Sequence, residues 1–352
     1  MAKYFTNIPL QPANLESLRD AIIRQVLEDE DFRKYVTIKR VHSDAPLAII
    51  GEMDAVGHAG AGCSPTFEEI GIANDLKRWA LGAWSIALEI CYENLEDTIA
   101  EYCLKAGTEI GDLTDTDFMA IYTDLLATQM RRMIWRFAWF GDTAADTIAN
   151  GGVLTNGTDK TLFTTNDGFF KQLFAIGTAD ATKVTTIAAN SQTTYAAQIA
   201  AIKTAGVATT LVDNILFDAN ARINQNGRAI LMLNKKFADA LTLDIKKTYM
   251  SIMPWERVFE GFEVAQYNGV TIASIATWDY MINQYENTGT AWNKPFRAVY
   301  ANPGNLIIGC DANDPISDLD IWFNKDERKN KIYAAGKLDT KIAQDELVHM
   351  AY

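Results

Sequence analysis

A chain of 352 residues, 48% apolar and 22% charged, is long and greasy enough for two domains or one large elaborated unit, and its composition excludes disorder. The formal charge of −13, gathered in no single tail, gives nucleic-acid phosphates no sequence-independent grip. Cys63, Cys91, Cys103 and Cys310 make no CxxC pair and read as reduced thiols of a cytosolic protein. The N-terminus shows no apolar signal region, and no run of about 18 apolar residues offers a membrane span.

In chain order, residues 1–12 read as an extended arm, because Pro9 and Pro12 block helix. Asn14 caps a helix running to Lys34, with Leu15, Leu18, Ile22 and Val26 on one face. Val36–His42 and Leu47–Ile50 are extended. The glycine-studded segment Gly51–Gly62 then forms the tip of a long β-hairpin. Residues 76–92 form the return strand, which as one piece would run about 50 Å, so a bulge at Gly82 is expected to break it. A short helix follows from its Asn94 cap to Gly107.

Asp115–Phe140 carries the clearest pattern. Phe118, Ile121, Tyr122, Leu125, Leu126, Met133 and Phe137 make one stripe on a helix roughly 36 Å long. Arg131, Arg132 and Arg136 lie in its last third, where cations suit the negative helix end. Residues 144–194 are rich in Thr, Gly, Asn and Ala, apart from Phe169-Phe170, and read as a domain transition. Helices near 194–205 and 211–224, a buried strand at Ala229–Leu233 and a helix at Lys235–Lys247 follow. Asn268-Gly269 sits between strands Phe262–Tyr267 and Val270–Ile275, the strongest hairpin signal in the chain. Strands at 296–301, 305–310 and 319–324, the polar turn Lys325–Asn330 and two closing strands complete the pass.

Chemistry is scarce. His42, His58 and His349 stand apart from one another and from the cysteines at metal-ligand spacing, so no metal or cofactor is expected. Gly57–Ser64 is followed by Pro65, and the next lysine is Lys77. A phosphate cradle wants a buried strand before it and a helix after it, so a flexible loop is the better reading. Cys63 beside His58 lacks a third, orienting residue. Glu68-Glu69, Glu96-Asp97 and Asp326-Glu327 are sequence neighbours whose side chains diverge, as on a solvated face. No catalytic site follows, and no enzyme is expected. Trp79, Trp84, Trp135 and Trp139 read as core or intersubunit packing, because basic residues do not interleave with them densely enough to form a groove.

The order of arm, glycine-tipped hairpin, long helix, mixed α/β segment and closing strands resembles the major capsid proteins of tailed bacteriophages with the Hong Kong 97 fold. Three stretches carry it. KRWALGAWSIALEICYENLEDT (Lys77–Thr98) is similar to that family's return strand entering a short helix. QMRRMIWRFAWFGDT (Gln129–Thr143) is similar to the end of its spine helix, and AILMLNKKFADAL (Ala229–Leu241) with FEVAQYNGVTIASIA to its axial domain.

The resemblance implies an α+β, Hong Kong 97-like fold. It comprises an N-terminal arm (1–35), an extended E-loop hairpin (36–76) and a peripheral domain (77–150) holding the spine helix at about 115–140. An axial domain (151–318) and a return to the peripheral domain (319–352) follow. It implies assembly contacts at Gly57, Gly60, Gly62 and Phe67 in the hairpin, Trp79 and Trp84 on the return strand, and Arg131, Arg132 and Arg136 on the spine helix. Lys325, Glu327 and Arg328 would add contacts in the peripheral turn.

The partners implied are further copies, in hexamers and pentamers of an icosahedral head. A portal, decoration proteins and packaged double-stranded DNA contacted non-specifically would join them, with no membrane. The virion, assembled in the host cytoplasm, is the implied location. Because the chain starts almost directly at its arm, a separate scaffolding protein is expected. Because no lysine lies between Lys39 and Lys77, no Lys–Asn crosslink is expected, although Asn330 falls in a comparable place. An encapsulin-like shell is the alternative, and a cytosolic enzyme using the glycine tip a more distant one.

Overall fold

Two β-sheets close on the same wall of aromatic side chains. The structure, a computed structural model, describes residues 35–53, 72–91, 117–145, 158–250, 253–259, 262–312, 316, 318–324 and 329–352. The arm with its Asn14-capped helix, the hairpin tip, the helix at 94–107, the cap at Asp115 and the turn residues Lys325–Arg328 lie outside the described residues.

The first sheet is built on β13 (Lys329–Ile342). Along one edge runs β4 (Gly82–Cys91), antiparallel, from Leu338 opposite Gly82 to Lys329 opposite Cys91. Along the other edge β12 (Asp318–Asn324) and β11 (Leu306–Cys310) lie end to end, and β1 (Thr37–Arg40) pairs in parallel with β11. Side chains alternate as a half-buried sheet requires: Ile332, Ala334 and Leu338 are buried, Tyr333 and Lys337 exposed.

The expected hairpin is present as β2 (Pro46–Met53) and β3 (Ile72–Arg78), paired from Pro46 opposite Arg78 to Met53 opposite Ile72. The expected bulge in the return strand is a full break: β3 ends at Arg78, and residues 79–81 turn the corner into β4. Gly82 is required by proximity, because a β-carbon there would overlap the carbonyl oxygen of Thr165.

The second sheet has seven strands in the order β5 (Val184–Thr185), β14 (Val348–Ala351), β10 (Ala298–Ala301), β6 (Ile230–Asn234), β9 (Val270–Ile275), β8 (Phe262–Tyr267) and β7 (Glu256–Phe259). The β8–β9 hairpin turns on Asn268 and Gly269 at φ 48° and 78°, as the sequence predicts. Both faces are covered, which explains the near-continuous apolar runs. Leu231, Leu233, Ile272, Ala298 and Tyr300 point to one core, with α3 (Tyr195–Ile202), α4 (Val207–Asp218) and α5 (Lys235–Tyr249). Met232, Ala273, Val299 and Met350 point to the other, with α1 (Asp117–Phe140), α2 (Phe169–Ala179) and α6 (Ala276–Tyr285).

Helix α1 is buried more widely than the predicted stripe. Leu126, Met133 and Phe137 are buried as expected, and so are Met130, Ile134, Trp135, Ala138, Trp139 and Phe140. The reason is that its C-terminal half sits between both sheets. Trp139 touches Trp135, Phe169, Phe170 and Trp278, with ring centroids at 6.1, 5.0, 5.2 and 4.6 Å.

Several expectations need correction. The polar tract 144–194 contains a helix, α2, because Phe169, Phe170, Leu173 and Phe174 recur at helical spacing and are buried. Helix α6 was not expected. The helix placed at 211–224 is α4, ending at Asp218 and followed by a short turn at Ala221–Asn224. Sheet membership does not follow the linear segments: β11, within 151–318, lies in the first sheet. The return segment splits, with β13 in the first sheet and β14 in the second.

Trp139→Ala is expected to cost about 3–5 kcal/mol of subunit stability, measured by urea unfolding. A loss below about 1 kcal/mol would mean that the aromatic wall does not join the sheets.

Candidate assembly surfaces

The hairpin springs from a fixed root. Backbone bonds tie Trp79 N to Ala45 O (3.2 Å) and Asp44 N to Trp79 O (2.8 Å). The Lys77 ammonium donates to Ile342 O (2.8 Å) and pairs with Asp345 (2.6 Å), and Ala80 N donates to Asp339 Oδ2 (2.8 Å). Burial pushes the Asp339 carboxyl above its ordinary value, although Lys341 at 3.2 Å and the Ala80 amide oppose this. The Trp79 ring lies on Gly309, where a β-carbon would come within 2.7 Å of it. Only glycine in β11 leaves room for that ring, so the indole is a rivet between hairpin and sheet.

Beyond the root, β2 and β3 pair with each other and with no other strand among the described residues. Leu76 is 58% exposed. A two-stranded ribbon without a layer beneath it is marginal in water.

The expected contact residues fall into three groups. Gly57, Gly60, Gly62, Phe67, Lys325, Glu327 and Arg328 lie outside the described residues. Trp79 and Trp84 are buried in the subunit's own core, Trp84 against Phe137 at 6.4 Å, so their rings are not surface offered to a neighbour. The arginines are partly accessible. Arg136 Nε donates to Leu162 O at 2.9 Å, and its guanidinium lies over Phe137 and Phe163. Burial lowers its pKa, against Tyr285 and Tyr280, which raise it. Arg132 lies 5.2 Å over Tyr280. The expected service to the helix dipole is corrected in detail, since the last turn of α1 holds no basic residue. Surface apolar groups that sequence reasoning missed are Phe217 (92% exposed) and Met250 (93%), together with Leu88, Tyr280 and Tyr333.

The chain leaves α1 through the expected Gly141-Asp142 turn. Lys171 bridges Asp142 (2.8 Å) and Asp167 (2.7 Å), and Asp167 also accepts from Thr143 N at 2.9 Å. Burial alone would raise Asp167 and lower Lys171. The bonds win, Asp142 and Asp167 holding Lys171 above its ordinary value, and Lys171 and Thr143 holding Asp167 below its own.

A second polar group, invisible in sequence, ties the mouth of the seven-stranded sheet together. Asn234 accepts from Arg297 N (2.9 Å) and donates to Asp279 (2.7 Å), while Asp279 accepts from Lys236 N (2.8 Å) and so caps α5 from α6. The Arg297 guanidinium pairs with Glu286 inside a cage of Phe140, Phe170 and Phe174. Burial raises the Glu286 carboxyl, and it pushes Asp279 up to about 6 against the bonds from Lys236 and Asn234. Such shifts mark active sites when a cleft reaches them. Here Asn234, Glu286 and Arg297 are no more than 1% exposed, so the network fastens elements and meets no substrate. Among the described residues no three His, Cys, Asp or Glu side chains are grouped to hold a metal, and no single helix is long and apolar enough to cross a membrane.

Asp279 sets a pH dependence. Its folded pKa of about 6 lies above the ordinary 3.8, so the folded state keeps a proton that the unfolded state releases. Its contribution to stability is intact below pH ~4, declines between pH ~4 and ~6, and is then constant, a loss of about 3 kcal/mol. The stability difference between wild type and Asp279→Asn is therefore expected to change across this window and to stay flat above it. A difference constant from pH 4 to 7 would refute the shift.

No family model matches the chain, and no curated protein matches its sequence. In structure it is similar to a chain of the satellite phage P4 procapsid that includes the size determination (Sid) protein. The two are 10% identical over 96% of this chain and 98% of that one, with a TM-score of 0.51. It is also similar to a chain of Mycobacterium phage Ogopogo, 11% identical over 90% of each, TM-score 0.50. A chain of the holo-SrpI encapsulin complex of Synechococcus elongatus PCC 7942 is 8% identical over 99% of this chain and 91% of that one, TM-score 0.48. At such identities the likeness speaks for the fold. The chain has the α+β, Hong Kong 97-like fold of phage capsid proteins.

Proposed function

We propose that this protein is the major capsid protein of a tailed bacteriophage, the subunit whose hexamers and pentamers close into an icosahedral head around double-stranded DNA. The observation that carries the reading is the hairpin: riveted at its root by Trp79 and Gly309, its strands β2 and β3 paired with no other strand among the described residues, and apolar at Leu76. A ribbon of this kind gains its missing burial from a neighbouring copy, which couples its ordering to assembly. Contacts of modest size, repeated around closed symmetry, then sum to a stable shell. On this reading the protein is structural and not an enzyme. It works in the virion after assembly in the host cytoplasm, with a scaffolding protein, a portal and decoration proteins as partners. Gly57, Gly60, Gly62 and Phe67 at the tip, and Lys325, Glu327 and Arg328 in the peripheral turn, are the proposed contacts between copies.

Expression of the chain alone and with its neighbouring genes, followed by negative-stain imaging, is expected to give closed shells. Particles from the native context should hold nuclease-protected duplex DNA. Shells filled with a cargo enzyme and no genome would replace this reading with an encapsulin-like one. Leu76→Asp is expected to abolish shell formation while leaving the subunit's unfolding free energy in urea unchanged within about 0.5 kcal/mol. Normal shells from this variant would remove the hairpin from the assembly interface. Denaturing electrophoresis of shells should show a single monomer band, and a covalent ladder would overturn the expected absence of a crosslink.

A further inference from the structure

In this acidic chain many cations rest on carboxylates: Lys77 on Asp345, Lys171 on Asp142 and Asp167, Lys235 on Asp239 and Glu263. Arg132 and Lys236 do not. The Arg132 guanidinium lies 5.2 Å from the Tyr280 ring centroid, and the Lys236 ammonium lies 3.6 Å from that of Trp292 while donating to Asn283 Oδ1 at 2.8 Å. Neither makes an ion pair with a carboxylate among the described residues. Helix α6 joins the two, because Tyr280 and Asn283, both exposed, stand three residues apart on one side of it. Tyr195 extends the strip, its ring 4.5 Å from that of Trp292.

We propose that this strip is a binding surface for the phosphodiester backbone of nucleic acid, and that it is the face of the subunit turned toward the packaged DNA. The proposal rests on the capsid reading above. A cation held over an aromatic face is oriented and partly stripped of water, yet carries no counter-anion, and a phosphate supplies one. The Asn283 amide N–H, which has no partner among the described residues, adds a neutral donor to the same side. The nearby acids do not cancel the strip. Asp279 is buried beneath it with its oxygens taken by Asn234 and Lys236 N, and Asp239 is paired with Lys235 at 2.9 Å. At about 0.1 M salt the screening length is roughly 10 Å, so the local cations outweigh the chain's distant negative charge. Because cations already cover the Tyr280 and Trp292 rings, the contact is to the backbone and blind to base sequence. One strip binds weakly, and repetition over a closed shell makes it count.

The test uses full-length protein with Arg132→Gln and Lys236→Gln combined, and Arg132→Lys with Lys236→Arg as the charge-keeping control. Dissociated subunits are titrated with a DNA duplex of about 20 base pairs at several salt concentrations, and the slope of log K against log[salt] is read. The Gln pair is expected to lower that slope by about 2, with the control near wild type and unrelated duplex sequences behaving alike. An unchanged slope in the Gln pair, or an equal loss in the control, overturns the proposal. Preference of the wild type for a poly-glutamate peptide over the duplex also overturns it, in favour of an acidic protein partner. A duplex of RNA bound as tightly as DNA supports backbone recognition and leaves the capsid context to select DNA. Shells are imaged in parallel: their absence from wild type counts against the capsid reading, and the slope still decides the strip.

Discussion

The subunit is fastened together where α1 ends. Trp139 is fully buried among Trp135, Phe169, Phe170 and Trp278, and two residues earlier, on the other side of the helix, Phe137 meets Trp84 of the first sheet. A helix covered on one side can roll by a few degrees at modest cost. A helix packed against both sheets cannot, because any rotation that relieves one side drives an aromatic ring into the other. The angle between the two sheets is therefore set by the last three turns of one helix. The Lys171 bridge to Asp142 and Asp167 then fixes the direction in which the chain departs.

The hairpin obeys the opposite rule. Its root is as firmly held as the core, with backbone bonds from Asp44 and Trp79, the Lys77 bridge and the indole on Gly309. Past Arg78 and Pro46 the two strands pair, among the described residues, with each other alone. Backbone pairing satisfies the ladder's polar groups but buries little apolar surface, and burial is what offsets conformational entropy. On the proposed reading, a firmly held root carrying a ribbon that exposes Leu76 is completed by a neighbouring copy. This combination ties the fold to the proposed shell.

Much of this was legible in residues. The stripe positions Leu126, Met133 and Phe137, Asn268-Gly269 and the alternation around Trp84 each follow from a local period or turn preference. What was not legible depended on partners distant in sequence. Phe169 and Phe170 looked like an isolated patch because the surrounding Thr, Asn and Gly masked a helical face, which becomes evident once Leu173 and Phe174 are counted with them. Trp79 was ambiguous between core and interface until Gly309, 230 positions away, provided its seat. The second sheet draws strands from 184 to 351, so no linear reading could tell that β11 joins the first sheet and β14 the second. The Asn234–Asp279 and Arg297–Glu286 contacts are equally long-range, and Asn234 carried no signal beyond a cap residue before a helix.

Those last contacts explain how an apolar core holds one arrangement. A buried pair such as Arg297 with Glu286 adds little net stability over well-packed hydrophobic replacements, because both charges are stripped of water. Its value lies in what it forbids. Leu231, Ile272 and Val299 would accept several registers, since oily surfaces fit one another in many ways. Asn234 has one arrangement that satisfies both Arg297 N and Asp279, and Asp279 has one that also caps α5. A slip by one residue would strand two buried carboxylates and a guanidinium without partners, a cost of several kcal/mol. We read the network as the device that makes every copy the same shape. If the chain is the shell subunit proposed above, it needs that uniformity more than it needs extra stability, because an error of angle in one copy is passed on to each contact it makes.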